Sequence, residues 1–191
     1  MLTFSVDYFL TVWPKLLEAV PFTIYFIVMS SIVSLLAGII VACIRIPRLP
    51  VLYRITELWM SFVRSMPFVL LLFLCYFLLP LPLQAAGLTG SDVPKEVYVY
   101  AAMILHYGPV IAEVIRPAYE AVPRGQTEAA IAFNLSAWHR VTQIILPQAL
   151  PIMLPGLVNQ VIEIIKDTSL MYMIGLMDLM GRANLLIHLR M

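Results

Sequence analysis

The chain has 191 residues, of which 62% are hydrophobic and 12% are charged, and its formal net charge is +1. Soluble chains are typically about 45–50% apolar and about 25% charged, so this composition excludes a soluble domain and predicts an all-α membrane protein. A net charge so close to zero gives no support for a nucleic-acid partner. Cys43 and Cys75 lie in apolar runs without metal-ligand spacing, which is typical of packing residues.

Residues 1–19 are predicted to form an interfacial segment rather than a cleavable signal peptide. They have no basic region at the start, and Asp7 interrupts their apolar run. Aromatic side chains suited to the headgroup level of a bilayer occur at Phe4, Tyr8, Phe9 and Trp13. We therefore expect a short helix along the membrane surface ahead of the first span.

The first membrane span is predicted over residues 20–44, which carry no charge and exceed the roughly 20 apolar residues that a bilayer core requires. Small residues such as Ala37 and Gly38 indicate close helix packing in lipid. The loop after this span carries Arg45, Arg48 and Arg54. The positive-inside rule then predicts a cytoplasmic loop and an N-terminus outside the cell membrane.

Two further spans are predicted over residues 66–79 and 97–115, and the loop between them, rich in turn residues, should be external. Arg64 and Glu113 lie near the cytoplasmic ends of these spans. We expect them to pair across helices, because pairing would neutralise both charges. His106 lies two helical turns before Glu113 and therefore shares its face of the helix.

Residues 126–147 form the longest run without a plausible span, and they predict two short helices joined by a turn. The first, around residues 126–133, is rich in alanine, a strong helix former. Asn134 stands where that helix should end, since asparagine enters the left-handed conformation at low cost. Ser136 is a good N-cap for a second helix over residues 137–146.

Pro147 is expected to interrupt that second helix, because proline lacks the N–H group that the helix needs. Arginines on both sides of the hairpin place it in the cytoplasm. A polar, well-capped hairpin between two spans favours a docking surface, and an ordinary solvated loop is the alternative.

The fourth span is predicted over residues 150–165 and carries a polar stripe that occupies about 120° of the helix circumference. The members of the stripe are Asn159, Gln160, Glu163, Lys166 and Asp167. Charged groups cost about 2.5–3.5 kcal/mol each at mid-bilayer, so the stripe favours a wet cavity or a helix interface. Alternatively, Glu163 and Lys166 pair on the helix surface without contacting a ligand.

The segment after Ser169 is broken by Gly175 and Asp178, and it is too short to predict a fifth span with assurance. The three histidines are isolated in sequence: His106, His139 and His188. No metal motif, glycine-rich phosphate loop or nucleophile elbow occurs in the sequence. The sequence therefore predicts no catalytic residue, no metal site and no ATP site on this chain.

The hairpin resembles the EAA loop of ABC importer permeases, the membrane subunits of binding-protein-dependent transporters. The residues that match the pattern in type and spacing are Glu128, Ala129, Ala130, Ile144, Leu146 and Pro147. Asn134 stands where that pattern has glycine. Flanking motifs resemble those of the polar amino acid branch, and they occupy residues 64–67, 112–116, 122–126 and 166–170.

This resemblance implies a type I ABC importer permease fold with about four to five membrane helices in one permease domain over residues 1–191. Within it, residues 20–115 hold the first three spans, 116–147 the cytoplasmic coupling region, and 148–191 the fourth span and tail. The resemblance also implies a further membrane helix after Asp178, which this sequence is expected to lack.

The resemblance implies a path for a polar amino acid, with ATP and Mg bound by a separate ATPase. The expected partners are ATPase subunits, a second permease subunit, an extracytoplasmic amino-acid-binding protein and the lipid bilayer. The residues expected to couple the chain to the ATPase are the six hairpin residues that match the pattern, together with Asn134. Candidates for the substrate path are the polar stripe, Thr168 and His106. The alternative is a truncated or regulatory subunit that docks the ATPase without transporting.

Overall fold

The computed structural model describes residues 6–85, 87 and 93–188, and the regular secondary structure of this part is entirely helical. The helices in chain order are α1 (Val6–Leu17), α2 (Val20–Arg45), α3 (Pro50–Arg64), α4 (Phe68–Leu78), α5 (Pro80–Ala85), α6 (Lys95–Glu120), α7 (Arg124–Ala132), α8 (Ala137–His139), α9 (Leu146–Thr168) and α10 (Leu179–His188). A π-helical segment, Arg140–Ile145, joins α8 to α9, and a 3-10 segment, Ser169–Ile174, follows α9.

Three helical stretches of the described residues are long and apolar enough to cross a membrane: Val20–Arg45, Lys95–Glu120 and Ala137–Ile174. A fourth span results if the bent pair Pro50–Arg64 and Phe68–Pro82, which meet at 109°, counts as one. Pro67 lies at this bend, and a proline restrains the preceding residue away from the helical conformation. The predicted all-α membrane fold is confirmed.

The described residues divide into two compact units. The first unit combines Met1–Val33, Met66–Met103 and Glu163–Met191. The second unit combines Ser34–Ser65 and Ile104–Ile162, and therefore contains α3, α7 and α8 in full. Each unit has its own packing, described separately below.

In the second unit, α2 and α6 approach closely through small residues. A Cβ atom added to Gly38 would lie 2.6 Å from the Cβ of Ile111, and one added to Gly108 would lie 3.2 Å from the Cβ of Ala37. Small residues of this kind let helix backbones meet in lipid. The expected close packing around Ala37 and Gly38 is confirmed.

In the first unit, α2 and α6 are joined by aromatic stacking, since the rings of Phe26 and Tyr100 lie 4.7 Å apart at 8°. The Lys95 ammonium donates a hydrogen bond to the Ile174 carbonyl at 3.0 Å. Asp178 caps α10 through a 2.8 Å hydrogen bond from the Gly181 N–H. Burial raises the pKa of the Asp178 carboxyl, and hydrogen bonds from backbone N–H groups oppose that shift.

The N-terminal segment forms α1, in which the exposed rings of Phe9 and Trp13 stack 5.7 Å apart. Phe4 lies outside the described residues, as do the side chains of Asp7, Tyr8 and His188. The expected external loop begins with a helix, α5. Residues 86 and 88–92 of this loop also lie outside the described part.

Two of the long helices contain internal prolines without a break. α6 continues through Pro109 and Pro117, and α9 continues through Pro151 and Pro155. Both helices are therefore longer than the spans predicted from the sequence. Of these four prolines Pro109 is buried, whereas Pro117, Pro151 and Pro155 are exposed.

Candidate functional site

The turn of the hairpin is a Schellman motif built on asparagine. Asn134 has φ 54°, in the left-handed region predicted for it. Its N–H donates to the Ile131 carbonyl at 2.8 Å, and the Leu135 N–H donates to the Ala130 carbonyl at 3.0 Å. These are the two hydrogen bonds that define the motif, so asparagine performs here the role usually taken by glycine.

The second arm of the hairpin begins at Ser136, as predicted. The Ser136 hydroxyl oxygen accepts a hydrogen bond from the His139 N–H at 3.4 Å, and it also lies 2.8 Å from His139 Nδ1. A capping serine satisfies one of the N–H groups that a helix start leaves without a partner. The entry into α8 is therefore determined locally.

The expectation that this second helix ends at Leu146, before Pro147, is wrong. Helical structure continues without a break from Ala137 to Ile174, over 38 residues. The turn before the proline, Arg140–Ile145, is π-helical, and a π-bulge is a recognised means of accommodating a disturbed hydrogen-bond ladder. The hairpin arm and the fourth span are consequently one helix.

The predicted coupling residues differ in their exposure. Glu128 and Ala129 are exposed on α7, whereas Ala130 is buried. Ala130 faces inward in the second unit, so it packs rather than presents a surface. On the second arm, Ile144 is partly buried, while Leu146 and Pro147 are exposed, as is Asn134 at the turn.

Two hairpin residues that the sequence analysis did not single out dominate its surface. Phe133 is 82% exposed and Trp138 is 73% exposed, and they lie on either side of the turn. Large aromatic side chains in a run without a membrane span are a signal that could have identified them. Exposed aromatic residues of this size are typical of interaction sites.

The expected ion pair between Arg64 and Glu113 is present in the second unit. Arg45, which the sequence analysis used only as a marker of orientation, also approaches this carboxylate, with Nη2 3.9 Å from Glu113 Oε1. The buried Arg45 guanidinium contacts Met60 Sδ and lies over the Tyr53 ring at 5.1 Å. Three helices therefore meet around one carboxylate.

The polar stripe of α9 neutralises part of its own charge. Lys166 Nζ lies 2.6 Å from Glu163 Oε1, three residues earlier on the same helix, which is the alternative left open by the sequence. Both side chains are more than half exposed. Asn159 is exposed, and Gln160 and Asp167 are partly buried.

The other two path candidates are less accessible than the stripe. Thr168 is buried, and its hydroxyl donates a 2.8 Å hydrogen bond to the Ile165 carbonyl. The His106 ring is partly buried and meets the Tyr107 ring edge to face at 4.9 Å. Neither side chain belongs to the exposed part of the stripe.

Comparison with known proteins assigns the chain to a family. Residues 34–189 match the family described as binding-protein-dependent transport system inner membrane component. The L-cystine transport system permease protein TcyL of Bacillus subtilis (strain 168) is 36% identical over 177 residues, covering 91% of this chain and 73% of that protein. The "Probable amino-acid ABC transporter permease protein PatM" of Vibrio harveyi is 32% identical over 182 residues, covering 95% and 80%.

The fold has a counterpart among solved structures. A chain from the crystal structure of an amino acid ABC transporter with histidines superposes with a TM-score of 0.78 at 22% sequence identity, covering 96% of this chain and 83% of that one. The solved structure shows the shared fold, and the family match covers most of the sequence. This chain therefore belongs to the family of inner membrane components of binding-protein-dependent transport systems.

Proposed function

We propose that this chain is the permease subunit of an amino-acid ABC importer. In this proposal it forms a translocation path for a polar amino acid and couples that path to a separate ATPase, which binds ATP and Mg. The names of the two relatives, one an L-cystine permease and one an amino-acid permease, support the class of cargo.

The observation that carries the proposal is the continuity between the hairpin and the last candidate span. The second arm starts at the Ser136 cap and runs as one helix to Ile174. A helix moves as a rigid rod far more readily than a loop does, so a displacement at the hairpin reaches the polar stripe directly. A solvated loop would not supply that mechanical connection.

The ATPase contact is assigned to the exposed surface of the hairpin. Phe133 and Trp138 supply apolar anchors, and Glu128 supplies a charged contact beside the small side chain of Ala129. Ile144, Leu146 and Pro147 continue this surface on the second arm. Aromatic anchors surrounded by polar residues are typical of strong protein–protein contacts.

The path for the amino acid is assigned to the stripe on α9. A zwitterion carries an ammonium and a carboxylate, which match the carboxylate of Glu163 and the ammonium of Lys166. An exposed pair of this kind contributes only about 0–1 kcal/mol to stability, so a ligand can replace its internal contact at low cost. Asn159, Gln160 and Asp167 offer further hydrogen-bonding groups, with Thr168 and His106 as more distant candidates.

The orientation follows from the placement of arginine. Arg45 ends α2 and Arg48 and Arg54 follow it, while Arg116, Arg124 and Arg140 lie around the hairpin. The positive-inside rule puts these segments in the cytoplasm and the N-terminus outside. The hairpin then faces the ATPase, and the opposite side faces an extracytoplasmic binding protein and its amino acid, with a second permease subunit completing the transporter.

Replacing Trp138 tests the coupling surface. The chain is reconstituted in liposomes with its ATPase and binding protein, and amino-acid-stimulated ATP hydrolysis is measured. Truncation of a tryptophan at an interface centre costs at least about 2 kcal/mol, or roughly thirtyfold in affinity. We expect Trp138→Ala and Glu128→Arg each to lower ATPase recruitment and stimulated hydrolysis strongly.

Trp13→Ala is the matched control, because Trp13 is an exposed tryptophan too but lies on α1, away from the hairpin in sequence. This variant should keep ATPase recruitment. Full stimulated hydrolysis in Trp138→Ala and Glu128→Arg would refute the coupling role. ATPase recruitment without uptake of any amino acid by the unmodified chain would instead favour a docking subunit that does not transport.

A further inference from the structure

A polar cavity lies in the second unit where two candidate spans end. Its volume is about 590 Å³. α2 ends at Arg45 and α6 ends at Glu120, and the residues that line the cavity follow directly after these ends, at Ile46 and Arg48 and at Val122 and Arg124. The cavity therefore lies at the ends of both candidate spans.

The charge around this cavity is positive. Arg48 Nη2 lies 3.2 Å from Glu120 Oε1, and Arg116 Nη1 lies 3.0 Å from Glu120 Oε2, so one carboxylate serves two guanidinium groups. Arg124 lines the cavity and forms no ion pair with any residue that the structure describes. Three arginines against one glutamate leave a net charge of +2, which calls for an anion.

The backbone conformation that brings these cations together is energetically unfavourable at one residue. Arg48 has φ 53°, a left-handed conformation that is uncommon for residues other than glycine, asparagine and aspartate. This turn ends the helical path of α2 and brings the Arg48 guanidinium to Glu120. Arg124 is the first residue of α7, where the helix dipole adds further positive potential.

Part of the remaining lining of the cavity is apolar, and this favours some anions over others. Ile46, Val122 and Ile145 border the same space as Arg48 and Arg124. Tyr119, Glu120 and Thr127 make up the rest of the lining. A free phosphate ion gains nothing from such side chains, whereas an amphiphile places its phosphate on the arginines and its glycerol and upper acyl carbons on the apolar residues. Basic pockets between membrane helices are typical sites for anionic lipid headgroups.

We propose that this cavity binds the phosphodiester headgroup of an anionic membrane lipid, held by Arg48 and Arg124. The site shares Thr127 and Ile145 with the hairpin, but Phe133, Trp138 and the residues of the stripe on α9 do not line it. The lipid proposal does not depend on which cargo the chain transports. The two proposals can therefore be tested, and can fail, independently. By the positive-inside rule the lipid belongs to the cytoplasmic leaflet, where anionic lipids are enriched.

Lipid binding to the purified chain tests this site. The purified chain is titrated in mixed micelles with phosphatidylglycerol or with phosphatidylcholine of the same acyl chains, and bound lipid is counted by native mass spectrometry. Each cationic side chain beside an anionic lipid contributes roughly fivefold to binding. We expect phosphatidylglycerol to bind at least about tenfold more tightly than phosphatidylcholine.

The double variant Arg48→Asn, Arg124→Gln should abolish that preference. Asparagine is chosen at Arg48 because it tolerates the left-handed backbone. Arg124→Gln alone, at an exposed position, should lower the preference by roughly fivefold and provides the test if the double variant does not fold. Arg54→Gln is the matched control, since Arg54 is exposed, pairs with Glu57 on α3 and does not line the cavity.

Equal binding of both lipids to the unmodified chain would overturn the proposal. So would an equal loss of preference in Arg54→Gln, because the effect would then come from general surface charge. A third arm adds millimolar inorganic phosphate, which should leave bound phosphatidylglycerol unchanged. Displacement of the lipid by phosphate would show that the cavity accepts a soluble phosphate, and the lipid assignment would be wrong.

Discussion

Two glutamates on candidate membrane spans, Glu113 and Glu163, both lie beside cations, but their surroundings differ. The partners of Glu113 come from other helices, Arg64 from the end of α3 and Arg45 from the end of α2. The partner of Glu163 is Lys166, three residues along the same helix. The side chains of Glu113 and Arg45 are 28% and 3% exposed, whereas those of Glu163 and Lys166 are 52% and 62% exposed.

This difference suits a structural role for Glu113 and the proposed binding role for Glu163. A carboxylate shared by two other helices holds those helices together, and its loss leaves a buried guanidinium without an anion. A pair within one helical turn holds nothing else in place, and its groups are already accessible. The first arrangement suits the framework of a permease, and the second suits a path in which charges exchange partners.

The largest expected effect comes from Glu113→Gln. This change keeps the side-chain volume but leaves the buried Arg45 without a negative partner, and breaking a buried pair from one side costs about 3–5 kcal/mol. We expect the free energy of unfolding to fall by an amount near the lower end of that range, because Arg64, the other partner of Glu113, is half exposed. Thermal unfolding in detergent, followed by tryptophan fluorescence, measures the change.

Glu57→Gln is the control for that variant. It removes the anion of the exposed pair with Arg54, 3.6 Å away on α3, and exposed pairs contribute about 0–1 kcal/mol. An equal drop in the melting temperature of both variants would mean that Glu113 contributes no more to stability than a surface charge does.

An intermediate effect is expected from Gly38→Ala, which tests the same helix contact without changing charge. The added Cβ would lie 2.6 Å from the Cβ of Ile111, so α2 and α6 must separate, and overpacking of this kind costs about 1–3 kcal/mol. Gly125→Ala is the control, since an added Cβ there has no atom within 4 Å apart from the adjacent residues and the backbone of its own helix. Equal melting temperatures for the two variants would contradict the close approach.

The smallest effect on stability is expected from the double variant Glu163→Gln, Lys166→Met. Removing both partners of an exposed pair should change the free energy of unfolding by less than about 1 kcal/mol. Uptake of amino acid into proteoliposomes should nevertheless fall by about tenfold or more, since the proposed path loses both charges. Arg54→Met, Glu57→Gln removes an equivalent pair from α3 and should preserve uptake. Normal uptake in the α9 variant would exclude this pair from the path.

The hairpin shows which features can be predicted from neighbouring residues alone. The left-handed Asn134 and the Ser136 cap were predicted because each depends on a side chain and the backbone within a few positions of it. The pairing of Arg64 with Glu113 was predicted from charge near the ends of two spans. The small residues around Gly38 predicted the close approach of α2 to a neighbour.

Other features depend on residues distant in sequence. Local rules predicted a break at Pro147, but the helix continues from Ala137 to Ile174 through a π-helical turn. Arg45 joined the Glu113 cluster because α2, α3 and α6 meet there, which no spacing along the chain reveals. The exposure of Phe133 and Trp138 likewise depends on which face of the hairpin packs inward.

The sequence by itself determined that this chain is a helical membrane protein with a capped hairpin between its last two spans, since composition, charge placement and capping act locally. Tertiary structure alone decided that the hairpin and the polar stripe belong to one helix, and that Glu113 is shared while Glu163 is paired within its own turn. The physical reason is that burial and helix continuity depend on which distant segments pack together.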